Sequence, residues 1–294
     1  VIALSQLGPW STPPEVGGTL EALVESVERL SSRELSAAAL ATATLAVGGQ
    51  PYWQRIHGEL LARASGLEPK HLADTLLALA TTRLCPINLL VALQDRLPHL
   101  LGAMEAPEAL TSLWAMCALR LFPAVPVARL LERASEAELA PAEARQLRQA
   151  LLSLDLEPGA KAARLEVSPA LRAQAERAAA AADFCARDEC QDEAVAEEIF
   201  ALLLEEGAAP ALTEPALDLY AVDVALGQAR RGVVVDSASA AEAEAPRDPW
   251  TTLKLRHLEH DGWSIAWLPA RRWQSWDEEQ RRDFVRRAVS KESD

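Results

Sequence analysis

The residues best suited to chemistry lie in the last third of the chain. Asp223 and Asp236 each stand in an apolar run, Tyr220-Ala221-Val222-Asp223-Val224 and Gly232-Val233-Val234-Val235-Asp236. Two carboxylates with a nearby Lys are the usual donors for metal-assisted cleavage of a phosphodiester. Lys254 and Arg256 follow on the next helical stretch, and Arg271-Arg272 lies between Trp267 and Trp273. Arginine beside an aromatic ring suits phosphate neutralisation with base stacking, as single-stranded RNA is commonly held; Trp267 and Trp273 are better suited to the core of a small domain short of apolar volume. Cys185 and Cys190 form a Cys-x4-Cys pair with no second pair to complete a zinc site, and Cys85 and Cys117 fall in apolar helical stripes as core thiols do. His257 and His260, at i and i+3, have no third ligand near them and read as surface or capping residues. Gly48-Gly49 lacks the Lys-Ser/Thr of a phosphate loop, and no Ser/His/Asp arrangement is legible. No metal or cofactor is expected.

Two kinds of element must position these residues. The first 180 residues read as successive helices in which segments superpose with a shift of 37: Thr75-Leu76-Leu77-Ala78 falls on Ser112-Leu113-Trp114-Ala115, and Arg83-Leu84 on Arg120-Leu121. The same shift leads back to Leu35 and forward from Leu110 to Leu147. A period of this size marks a helical solenoid, whose helix pairs bury their apolar faces only against neighbouring pairs. Arg83 and Arg120 then occupy equivalent places one repeat apart. They are candidates for contact with an extended ligand, and also ordinary partners of helix C-termini. From Leu217 the pattern changes to strand (217–226), strand (232–236), loop, helix (250–259), strand (263–268) and a terminal helix (277–289), a compact α/β unit. The predicted domains are residues 1–182 as a helical-repeat array, 183–215 as an acidic helical connector, and 216–294 as the α/β unit.

Composition narrows the classes. The chain has 294 residues, half of them apolar, and a formal net charge of −14. That length buries ample core, no run of about 18 apolar residues could span a membrane, and four cysteines do not make a disulfide scaffold. The acidity is local: residues 183–245 carry a net −12, residues 246–294 a net +1 and residues 1–182 the remaining −3. Nothing here binds RNA by charge alone, but arginines outside the acidic segment can still meet phosphate. The chain starts at Val1 rather than Met, which leaves open a removed leader or a start inside a longer protein.

Residues 216–290 resemble a RAP domain, the small module at the end of organellar RNA-binding proteins. The resemblance is carried by Tyr220–Leu226, Gly232–Asp236, Thr252-Leu253-Lys254-Leu255-Arg256-His257-Leu258, Asp261-Gly262-Trp263, Ile265-Ala266-Trp267-Leu268-Pro269 and Trp273. The upstream array is similar to the octotricopeptide or FAST-kinase-like repeats that precede such domains. The resemblance implies a restriction-endonuclease-like fold for the α/β unit. It also implies a role in organellar RNA processing, stability or ribosome assembly. This sequence departs from the RAP pattern where Val234 replaces a Glu and Ser237 a Gly, and residues 238–245 hold no His or aromatic. With Asp223 and Asp236 but no further carboxylate or in-strand Lys, the nuclease centre is degenerate.

The resulting expectation is a mostly α protein, an α-helical repeat solenoid followed by a small α/β domain. Its expected function is non-catalytic RNA binding, as a mitochondrial ribosome component or rRNA-stabilising factor, with the chloroplast as the alternative organelle. The expected RNA-facing residues are Lys254, Arg256, Arg271, Arg272, Trp273, Arg83 and Arg120. Expected partners are RNA, rRNA first, and neighbouring proteins of a large ribonucleoprotein complex. The alternatives are a protein-docking scaffold with a degenerate RAP domain and, behind it, a RAP-type nuclease.

Overall fold

The computed structural model describes residues 22–23, 25–84, 86–136, 139–181, 193–226, 230–236 and 248–290. Its first part is a stack of helix pairs: α1 (Ser32–Thr44) and α2 (Gln50–Ala62), α3 (Pro69–Thr82) and α4 (Ile87–Leu100), α5 (Ala106–Ala118) and α6 (Ala124–Ala134), then α7 (Pro141–Leu156). The first helices begin at residues 32, 69, 106 and 141, and the second helices at 50, 87 and 124. A recurring N-terminal device starts them. The backbone N–H groups of Ser31, Glu105 and Ala140 donate to the carboxylates of Glu34, Glu108 and Glu143 at 2.8, 2.9 and 2.8 Å, and that of Glu68 donates to His71 Nδ1 at 3.4 Å. Each bond satisfies a donor that the first helical turn leaves without an intrahelical acceptor.

Packing follows the same period. α1 lies against α3, α3 against α5 and α5 against α7. Ala39, Leu76, Leu113 and Ala150, each 37 residues from the next, are all buried in one continuous core. Arginines in or just after the second helices fasten the turn ahead of each following pair. Arg63 donates to the Leu30 carbonyl, Arg96 to that of Leu67 at 3.1 Å, and Arg133 to that of Met104 at 3.1 Å. The three acceptors are again 37 residues apart. Behind α7 lie α8 (Pro158–Ala162) and α9 (Pro169–Ala181).

The second part contains α10 (Glu193–Glu205), β1 (Pro210–Ala216), β2 (Tyr220–Leu226), β3 (Arg231–Asp236), α11 (Pro249–His260), β4 (Ser264–Pro269), α12 (Ala270–Ser275) and α13 (Glu278–Ser290). The sheet order is β1-β2-β3-β4, antiparallel except for the parallel β3/β4 pair that α11 connects. Val233 and Val235 face α10, α12 and α13, whereas Val234 packs with Leu258 of α11 on the other side, the alternation a strand requires. A Cβ at Gly232 would come within 2.4 Å of Val222 and 2.8 Å of the Val224 carbonyl, so close β2–β3 pairing requires glycine there.

Two boundaries differ from the sequence reading. β1 falls inside the segment read as a connector, and α10 supplies Val195, Ile199 and Leu203 to the core beneath the sheet, so residues 193–215 belong to the α/β unit. Pro210 and Pro215 hide β1 from a strand reading because proline is confined largely to edge strands. Leu217 and Asp218, read as the start of a strand, have φ of +55° and +53° and form the turn between β1 and β2.

Candidate nucleic-acid interface

The expected RNA-facing residues separate into buried and exposed groups. α11 is wedged between sheet and array, with Leu253 in the array core and Leu258 in the sheet core. Arg256 therefore points into the array and is 7% exposed. It donates to the carbonyls of Cys117 and Ala118 at the end of α5, at 2.7 and 2.8 Å, and pairs with the buried Glu157 carboxylate. Burial pulls its pKa down and Glu157 pulls it back up. A guanidinium spent on two carbonyls and a buried carboxylate is a structural clamp, and this corrects its assignment as an RNA contact. Lys254 is 5% exposed, which likewise removes it from the surface.

Trp273 is also corrected from a stacking surface to a core ring. It packs with Ile199, Val233 and Val285, and its Nε1 donates to Glu198 at 2.7 Å. The basic terminal helix is neutralised within the unit: Arg281 meets Glu198 at 3.0 Å, Arg282 meets Glu205 at 2.9 Å and Arg286 meets Glu206 at 3.2 Å. Three carboxylates of the acidic segment are thus spent on three arginines of α13. Arg271 remains exposed on α12, with Arg272 half-buried beside it.

The two strand carboxylates serve the sheet. Asp223, 2% exposed, accepts from the Val235 N–H at 2.8 Å, and Asp236, 4% exposed, accepts from Trp267 Nε1 at 3.1 Å. Asp248 caps α11 by accepting from the Thr251 N–H at 2.7 Å, and its pKa is raised by burial, with the Asp236 charge contributing. Asp223 and Asp236 are both buried and engaged within the sheet, and Val234 between them is apolar and buried, so these residues do not fit a divalent-cation centre. Among the described residues no group of three or more His, Cys, Asp or Glu could hold a metal ion. Cys185, Cys190 and Cys85 lie outside the described residues. Cys117 is buried, with its thiol pushed up to about 12 by burial first and the Glu157 charge next.

Sequence reasoning missed the polar seam between array and α/β unit. His257, expected at the surface, is fully buried; its Nε2 lies 2.7 Å from Ser153 Oγ and its Nδ1 2.7 Å from the Tyr220 hydroxyl. Gln149 accepts from Trp114 Nε1 at 2.6 Å and donates to the Trp250 carbonyl at 2.9 Å, while the Arg145 guanidinium sits 4.4 Å above the Trp250 ring. Burial lowers the His257 pKa to about 3, and the Arg256 and His260 charges add to that. Ser153 and His257 are sealed from solvent, so this pair is no nucleophilic centre. Its members are more than 100 residues apart, and no local spacing signals them.

The array offers the exposed candidates. Arg83 and Arg120 follow the last turns of α3 and α5, both exposed and both in the left-handed region, with φ of +55° and +58°. Ala46 holds the same place after α1 with φ of +53°. At Ala46 and Arg120 the next N–H bonds back to a carbonyl in the helix, Val47 to Thr42 at 3.1 Å and Leu121 to Met116 at 2.8 Å, a helix stop usually made with glycine. The next place in the series is Glu157, with φ of −78°, whose buried carboxylate meets Arg256. One edge of the array therefore runs from Ala46 through Arg83 and Arg120 to the point where the α/β unit docks. Beside it a cleft between the ends of α1 and α3 is lined by Gln50, Trp53, Thr81, Thr82 and Arg83.

No family model matches this sequence, and no curated protein matches it. Fold and geometry therefore define the chain as a helical array closed by a small α/β unit.

Proposed function

We propose that this protein is a non-catalytic, organellar RNA-binding protein in which the helical array carries the RNA and the α/β unit, which resembles a RAP domain, closes one end. The observation that supports it most directly is the pair of exposed arginines, Arg83 and Arg120, one repeat apart on the same edge. Equivalent cations along a solenoid suit an extended polyanion. Arg271 is the remaining candidate on the α/β unit. In this reading the RNA is rRNA and the setting is the mitochondrial ribosome or its assembly, with the chloroplast as the alternative. The strand roles of Asp223 and Asp236 favour binding over cleavage.

A second reading, a protein-docking scaffold, is favoured by a separate observation. Leu61, Ile87, Val91 and Val125 on the second helices are exposed, Ile87 by 75%. The two readings combine naturally in a subunit of a ribonucleoprotein complex. Crosslinking followed by RNA sequencing from the intact complex tests the proposal: reproducible rRNA crosslinks are expected, whereas recovery of protein partners without RNA would replace it by the scaffold. Purified protein with Mg²⁺ or Mn²⁺ is expected to leave RNA intact, and cleavage abolished by Asp236→Ala would overturn the non-catalytic reading.

A further inference from the structure

α2 and α4, the second helices of successive pairs, lie side by side without closing on each other. A groove of about 450 Å³ runs between them, lined by His57, Gly58 and Leu61 from α2 and by Pro86, Ile87 and Leu89 at the start of α4. Leu61 and Ile87 are exposed there, and Val91, one turn further along α4, continues the apolar stripe at 49% exposure. Two neighbouring helices present a groove of the shape that a third helix fills.

Two residues of the groove have no use within the fold. Gly58 stands in the middle of α2 on helical backbone, where glycine weakens a helix relative to alanine. A Cβ added there would meet no heavy atom within 4 Å beyond its own stretch of helix, in contrast to Gly232, so the chain's own packing does not call for it. What a glycine in such a place permits is the close approach of another backbone. His57, beside it, packs against Trp53 with ring centroids 5.6 Å apart, and its Nε2 is buried without a hydrogen-bond partner. Burial lowers its pKa to about 4, so at neutral pH the ring is uncharged and has one N–H donor and one acceptor nitrogen. The surrounding charges favour a protein over a polyanion. Arg55 pairs with Glu28 at 2.6 Å, Arg63 with Glu59 at 2.9 Å, and Arg96 donates to the Leu67 carbonyl at 3.1 Å, so the nearby guanidinium groups are engaged. Asp95, one turn beyond Val91, is exposed and forms no ion pair among the described residues. A second copy of this chain would set groove against groove and leave both unfilled.

We propose that the α2–α4 groove receives an amphipathic helix of a partner protein. The apolar stripe of that helix lies against Leu61, Ile87 and Val91, and its backbone passes close over Gly58. An uncharged polar side chain meets His57, and a Lys or Arg faces Asp95. The inference rests on the protein-docking reading and specifies the place and the chemistry of the partner.

The test uses the full chain in its intact complex, with photoreactive p-benzoyl-phenylalanine in place of Asn88, in the groove, or of Val125, which holds the equivalent place one repeat further on and lies outside it. Mass spectrometry then reads the sequence of the crosslinked segment. From Asn88 the expected product is a segment of another protein with apolar residues three and four apart and Lys or Arg beside that stripe. Gly58→Ala and Gly58→Gln are expected to melt at the same or a higher temperature, because both new residues favour helix. Gly58→Gln should at the same time weaken the Asn88 crosslink by about tenfold, since its side chain blocks the incoming backbone. Protein crosslinks from Val125 but none from Asn88 would overturn the groove and leave the docking reading standing. Absence of protein crosslinks from both positions would overturn the two together. A crosslink from Asn88 to RNA, to a second copy of this chain or to a segment without the stripe would also sink the proposal. So would a Gly58→Gln chain that crosslinks as strongly as its parent. A Gly58→Ala chain that melts at a lower temperature would assign the glycine to internal packing and overturn the proposal too.

Discussion

Truncating Arg256 would leave the Glu157 carboxylate, 3% exposed, without its cation, and two carbonyls at the end of α5 without their donor. Breaking a buried pair from one side costs about 3–5 kcal/mol, because the surviving charge has neither water nor partner. Arg256→Ala is therefore expected to lower stability by roughly that amount in urea denaturation. Arg256→Lys should recover only part of it, since one ammonium cannot span the three acceptors that the guanidinium fork reaches. A loss within about 0.5 kcal/mol, the size of an ordinary surface substitution, would show that the clamp is not formed. His257 adds a pH dependence. Its pKa is about 3 when folded against 6.5 when unfolded, so between those values the unfolded chain binds a proton that the folded chain refuses. Its contribution is fully present above about pH 6.5 and is lost progressively as the pH falls toward 3. Above that range His257→Gln destabilises by removing the Ser153 and Tyr220 bonds. Through the acid range it should make the fall in stability shallower than in the parent chain, and an equally steep fall would contradict the buried, neutral imidazole.

At the scale of elements, α11 and α12 show how differently two adjacent helices use arginine. α11 is enclosed by the sheet on one side and by α5 and α7 on the other, so every long side chain on its inner faces becomes structural. α12 buries Ala270 and Trp273 and turns Arg271 outward. Arg271→Ala with Arg272→Ala is expected to weaken RNA association with little sequence preference and to flatten its salt dependence, while the thermal midpoint stays within a degree or two. The melt guards against a packing loss through the half-buried Arg272 stem. Unchanged RNA association in a variant that melts normally would leave the array edge as the RNA-facing surface. Trp273→Ala should behave oppositely, unfolding the sheet face by a cavity worth about 3–5 kcal/mol before any question of binding arises. The contrast between these neighbours was not legible locally, since Arg271, Arg272 and Trp273 read in sequence as one basic-aromatic cluster.

The molecule as a whole is joined by the seam of Gln149, Ser153, Glu157, Tyr220, Trp250, Arg256 and His257, with Leu253 inserted in the array core. Array and α/β unit are expected to unfold in one transition. Tryptophan fluorescence, weighted to the five tryptophans between residues 250 and 276, should trace the same denaturation curve as helix circular dichroism. Two separated transitions would mean that the seam does not couple the parts. The sequence alone was enough for the alternation of helix pairs, their 37-residue period, the burial of Leu76 and Leu113 and the succession of β2, β3, α11 and β4 along the chain. Each of these rests on apolar spacing, caps and turns within a few residues. It could not show that β1 joins the sheet and α10 packs beneath it, that Lys254, Arg256 and His257 are buried, or that Asp223 and Asp236 bond across the sheet. Charged and polar residues are accepted in a core only when partners reach them, and the partners of Arg256 lie 99 to 139 residues away. Residue type and spacing set the elements; which of their charged faces stayed in water was decided only when α11 closed against the array.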